Sequence, residues 1–126
     1  MKSRDGVIRL MRFQADEKQR QVAQIETMIA EFERRATDLD DQILAEQERS
    51  GIHDVEHFAY PTFAKAAAQR RENLRASIQD LKVQLDAAKM EYDTALEELQ
   101  KSEAIAERDG MAKPEETDTA AVGQGG

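Results

Sequence analysis

Apolar residues in this chain recur in alternating steps of three and four along two stretches of similar length. The first stretch sets Ile8, Ala15, Val22, Ile29, Ala36 and Ile43 at one seam position and Met11, Lys18, Ile25, Phe32, Leu39 and Glu46 at the other, so only Lys18 and Glu46 interrupt it. The second passes through Ala64, Ala67, Arg71, Leu74, Ile78, Leu81, Leu85, Ala88, Tyr92, Ala95, Leu99, Ser102 and Ala106, with Arg71 and Ser102 as its polar members. A period of about 3.5 residues keeps one narrow stripe turned toward a partner helix, whereas a helix lying on a globular core shows a wider stripe. The pattern predicts a coiled coil, and a coiled coil leaves little room for a walled catalytic pocket.

Punctuation sets the element boundaries. Helix one is expected over about 4–49: Ser3 can cap the orphan amides, Asp5 suits the positive first turn, Gly6 weakens the start, and Ser50-Gly51 ends the helix because glycine tolerates a left-handed backbone. A connection over 50–60 follows, with one turn capped by Asp54. Helix two is expected from Pro61, whose missing amide is no loss in a first turn, to about residue 109, where Gly110 should stop it. Acid-before-base pairs one turn apart, Glu31 with Arg35 and Glu97 with Lys101, support the two helices. At about 1.5 Å per residue each helix comes to roughly 65 to 70 Å.

Near-equal lengths and a short connection favour folding back, giving an all-α, antiparallel two-helix coiled-coil hairpin over 1–109. Both chain ends then meet at one pole and the connection forms the other. A parallel homodimer of long helices is the rival, but Gly51 and Pro61 break continuity in the middle. Residues 110–126, with Pro114, several acids and Gly-Gln-Gly-Gly, are expected to be a disordered acidic and glycine-rich tail.

Composition narrows the function. With 126 residues, 35% charged, 5% aromatic and no Trp, the chain suits exposed helices better than a thick core. A net charge of -8 argues against wholesale nucleic-acid binding. The sign is unevenly spread: Lys2, Arg4, Arg9 and Arg12 open the chain against Asp5, while from Glu103 onward six acids face only Arg108 and Lys113. Without cysteine there is neither disulfide nor thiolate metal site, as a reduced compartment permits. No signal-peptide stretch and no membrane-spanning run of about 20 apolar residues is visible, so a cytoplasmic protein with no membrane insertion is expected.

Four constellations carry candidate chemistry. His53-Asp54-Val55-Glu56-His57 matches the H-x-x-E-H pattern of inverted zinc proteases, whose two histidines must share a helical face; here the motif falls in the break, and a polar turn is the simpler reading. Phe58, Tyr60 and Phe63, with Val55 and Ile52, cluster at the loop pole, either plugging the end of the coiled coil or forming a docking surface. Lys65, Arg70, Arg71 and Arg75 make a basic band diluted by Glu72, a solvated face or an acidic partner's site, with Arg71 able to set register. Finally Lys2, Arg4, Arg9 and Arg12 interleave with Val7, Ile8, Leu10, Met11 and Phe13, apolar on more than one side; the C-terminal part of helix two, another protein or a membrane surface could cover them. No glycine loop for phosphates, nucleophile elbow or other sign of a metal or cofactor site stands out.

Arg9-Leu10 and Phe13, then Glu17-Lys18 and Gln21-Val22, Ser50-Gly51-Ile52, and Phe58-Ala59-Tyr60-Pro61-Thr62-Phe63-Ala64-Lys65-Ala66 leading to Arg70-Arg71 and Asn73-Leu74, resemble the FliJ family of the bacterial flagellar protein export apparatus, in its short alphaproteobacterial form, over about residues 1–108. The resemblance implies a non-enzymatic antiparallel coiled coil that acts in flagellum biogenesis and motility as a stalk or escort. Such proteins insert the pole of the chain ends into the hexameric export ATPase, contact the cytoplasmic domain of the membrane export gate, and in some cases meet export chaperones. It implies a cytoplasmic place peripheral to the inner membrane at the flagellar base. Carried over by position, Arg4, Arg9, Met11, Arg12 and Phe13 would face the ATPase ring, and Phe58, Tyr60 and Phe63 the gate. A self-assembling structural coiled coil with no export role is the alternative.

Overall fold

The computed structural model describes residues 2–112, which form helix α1 (Lys2–Ser50) and helix α2 (Thr62–Ala112), joined by an irregular segment. The chain is all-α, an antiparallel two-helix hairpin, and no strand occurs among the described residues. Beyond Ala112 the expected tail lies outside them. Every predicted seam position on both helices is buried or half-buried.

The helix ends differ from expectation by a few residues, each for a local reason. α1 begins at Lys2, so Ser3 stands inside the helix and not at the position before its first turn. α2 is assigned from Thr62, with the Lys65 amide donating to the Pro61 carbonyl at 3.2 Å, so Pro61 stands at the boundary itself. Gly110 does not stop α2, which runs on to Ala112. A helical glycine costs only about 1 kcal/mol relative to alanine, and the adjoining Asp109 carboxylate is held by Arg4 of α1. Gly51, by contrast, does close α1: its φ is +75°, and its amide donates to the Gln47 carbonyl at 2.8 Å.

Contacts divide the hairpin into two compact units. The first pairs α1 as far as Arg20 with α2 from Lys89 onward. Ile8, Ala15 and Leu99 form its buried centre, with Met11, Ala95 and Ala106 packed against them. Cross-helix ion pairs flank this centre: Arg4 with Asp109, Arg12 with Glu103 at 2.6 Å and Lys18 with Glu91 at 2.9 Å. Partner numbers fall along α2 as they rise along α1, the signature of antiparallel pairing.

The second unit, Gln21–Ala88, holds two clusters. Ile29, Ile78 and Leu81 are joined by Ile25, Phe32 and Leu85, and the Arg35 guanidinium lies 5.8 Å over the half-buried Phe32 ring. Nearer the connection, Ile43, Tyr60, Ala64 and Ala67 pack with Leu39, Ile52 and Ala68. Ala64 and Ala67 are the only described residues with no exposure, because a methyl side chain lets the facing backbone approach closely. The large seam residues keep an edge in water, as two helices alone cannot surround a side chain; burying each Ile or Leu still contributes up to about 1.5–3 kcal/mol.

Candidate functional site

The basic opening of α1 is largely used by the fold. Arg4 and Arg12 donate to Asp109 and Glu103 of α2, and Met11 packs against the Ile8, Ala15 and Leu99 cluster. These three side chains are thus engaged within the first unit, although those of Arg4 and Arg12 stay about half open to solvent. Arg9 remains exposed and makes no ion pair with another described residue, while the Lys2 side chain lies outside the described set. Phe13 is 56% exposed, and Val7 and Leu10 are about as open, so this stretch keeps an apolar surface that α2 does not cover.

The turn separates its three aromatics. Tyr60, placed with the docking residues on sequence grounds, is only 8% exposed and belongs to the buried cluster of Ile43, Ala64 and Ala67. Its hydroxyl accepts a hydrogen bond from Gln47 Nε2 at 2.9 Å, which satisfies the phenol at the rim of the core. Tyr60 is thus an internal anchor and is withdrawn from the contact surface. Phe58 is 97% exposed, and Phe63 and Val55 are about half exposed.

Consecutive hydrogen bonds hold the backbone between Tyr60 and α1. Ser50 Oγ donates to the Gln47 carbonyl and accepts from the Ile52 amide. Asp54 Oδ1 accepts from the Glu56 amide at 2.9 Å and its carbonyl from the His57 amide at 3.0 Å, which is the turn capped by Asp54 that the sequence predicts. His57 then accepts twice, through Nδ1 from the Ala59 amide and through its carbonyl from the Tyr60 amide, both at 3.0 Å. Its ring stacks on Phe58 with centroids 4.8 Å apart.

This geometry gives the H-x-x-E-H match a structural role. His53, Glu56 and His57 sit in the turn and share no helical face, and His57 Nδ1 is occupied by a backbone amide. Among the described residues no group of three or more His, Asp or Glu is arranged to hold a metal ion. Beside the turn, Arg49 makes a two-point hydrogen bond to Glu46 at 2.6 and 3.2 Å, which holds the Glu46 carboxyl below its ordinary range and raises Arg49.

The basic band is half neutralised. Arg71 donates to Asp40 at 2.8 Å and Arg75 to Glu72 at 2.9 Å, leaving Lys65 and Arg70 exposed. An open cleft in the second unit has Ala36 and Ile78 as its floor and Glu33, Asp40 and Arg75 at its rim. No helix among the described residues is long and apolar enough to cross a membrane. Compared with protein-family models, curated proteins and solved structures, the chain matches none of them.

Proposed function

We propose that the chain is a non-enzymatic coiled-coil component of the flagellar protein export apparatus, a stalk or escort that couples the export ATPase ring to the cytoplasmic domain of the membrane export gate. It works by presenting protein-binding surfaces, with export chaperones as a further class of partner, at the cytoplasmic face of the inner membrane. One observation carries the reading: apolar side chains that the seam does not use stand exposed in close succession at Val7, Leu10 and Phe13 in the first unit and at Val55, Phe58 and Phe63 in the second. The family resemblance of the stretches around Phe13 and Phe58 supplies the identity of the partners.

The test is ATP hydrolysis by the cognate export ATPase with and without the purified chain. The chain alone should be inactive and should raise the ATPase rate, with Phe13→Asp reducing that stimulation. An ATPase that neither binds the chain nor responds to it removes the reading. Val83 and Met90, each about 70% exposed on α2, favour self-assembly as a second reading. Sedimentation decides it, because a structural coiled coil would form stable dimers or filaments at micromolar concentration.

A further inference from the structure

Phe58 is the most exposed large hydrophobic residue of the described chain, and the fold gains almost nothing from it. The neighbouring His57 ring stacks on it, with centroids 4.8 Å apart. An apolar side chain of this size on a loose loop would be ordinary, but its backbone is fixed on both sides. The Asp54 turn holds the approach, the two acceptors of His57 hold the amides of Ala59 and Tyr60, and Tyr60 is sunk in the core two residues later. With its backbone held in this way, the segment carrying the ring has already lost part of the freedom that binding would otherwise remove. Buried aromatic anchors of this kind dominate protein interfaces.

We infer that Phe58 is a single aromatic anchor that inserts into an apolar pocket of a protein partner whose rim carries Lys or Arg, with His57 and Tyr60 as the residues that position it. The charge around the turn selects that rim. Glu48, Asp54 and Glu56 are exposed and have no cationic partner among the described residues, Arg49 is taken by Glu46, and Lys65 is the one other Lys or Arg between residues 48 and 65. Net negative charge beside the anchor favours a cationic rim and disfavours an anionic lipid surface. The proposal rests on the export reading for the choice of partner and goes beyond it in naming the anchor, its supports and the chemistry of the receiving pocket.

The experiment is calorimetric titration of the full chain into the purified cytoplasmic domain of the cognate export gate. Phe58→Ala should weaken binding about 30-fold or more, with unchanged helicity and melting because the ring is outside the core. His57→Ala should weaken it by about 10-fold, and His57→Asn should recover much of that loss, since the asparagine oxygen can still accept the Ala59 amide. Rising salt should weaken the wild-type complex. Phe58→Ala binding as tightly as wild type overturns the anchor while leaving the stalk reading intact, and salt-independent binding overturns the cationic rim. Absence of any wild-type binding removes the gate as partner and the anchor with it. Anionic vesicles that bind the chain through Phe58, or a homodimer that Phe58→Ala dissolves, would reassign the residue and overturn the proposal.

Discussion

Replacing Asp40 by Ala removes the acceptor that faces Arg71, the seam's one arginine. Arg71 Nη1 lies 2.8 Å from Asp40 Oδ1, and its side chain is about three-quarters buried, with Nε already enclosed and without a partner. Arg75 also reaches Asp40, at 3.8 Å, but keeps Glu72 at 2.9 Å, so the loss falls on Arg71, whose other acid is Glu72 at 3.8 Å. Exposed ion pairs contribute about 0.2–1 kcal/mol and breaking fully buried ones costs about 3–5 kcal/mol; this half-buried pair falls between, at about 1.5 kcal/mol. Arg71→Leu should be neutral or stabilising, because it fills a seam position between Ala67 and Leu74 with apolar volume and leaves Asp40 free to turn toward water. The assay is urea unfolding followed by circular dichroism for wild type, each single variant and the double variant. Asp40→Ala should lower stability by about 1.5 kcal/mol with Arg71 present and by less than about 0.5 kcal/mol in the Arg71→Leu background. Equal losses in the two backgrounds would refute the argument, since Asp40 would then not be acting through Arg71.

Other substitutions test the remaining physical claims. Gly110→Ala should stabilise α2 by roughly 0.5–1 kcal/mol, as its added methyl meets nothing within 4 Å, whereas Gly51→Ala should destabilise by about 1 kcal/mol because of its φ of +75°; thermal melts compare the two. Ala67→Leu should cost about 1–3 kcal/mol by forcing the helices apart where no exposure remains, read as a lower urea midpoint. The Glu46 carboxyl is held below its ordinary value by Arg49, so its contribution is complete above the ordinary carboxylate range, near pH 4.3, and is lost as pH falls through the folded value. Glu46→Gln should therefore narrow the gap between variant and wild type as melts are taken to lower pH.

The seam is legible in the sequence because a helix pair buries side chains by spacing alone: Lys18, Glu46, Arg71 and Ser102 are as half-buried as their apolar neighbours. Tyr60 is misplaced by its grouping with the other turn aromatics, since a turn has no period, yet a signal exists. Tyr60, Ala64, Ala67 and Arg71 continue the alternating steps of four and three backward past Pro61, marking Tyr60 as one more inward position. Arg4 and Arg12 point outward only when each helix is taken by itself. In a hairpin the basic opening of α1 must lie beside the acidic close of α2, and the pairs with Asp109 and Glu103 follow from that charge asymmetry. What the sequence does not supply is the role of His57, since a ring nitrogen accepting an amide two residues on depends on local backbone angles that no spacing rule encodes.

Contacts made back to α1 from the connection and from α2 span steadily longer stretches of sequence: 13 residues for Gln47 and Tyr60, 31 for Asp40 and Arg71, 73 for Lys18 and Glu91, 91 for Arg12 and Glu103, and 105 for Arg4 and Asp109. Closing the longest loop directly costs about 1.8 kcal/mol more than closing the shortest, but once the Tyr60 cluster has formed each later contact extends a closed segment by a few turns. Folding is therefore expected to nucleate beside the turn and propagate along both helices away from it. Amide exchange should follow the reverse order, with the Arg4 and Asp109 turn opening first and the amides around Ala64 and Ala67 last.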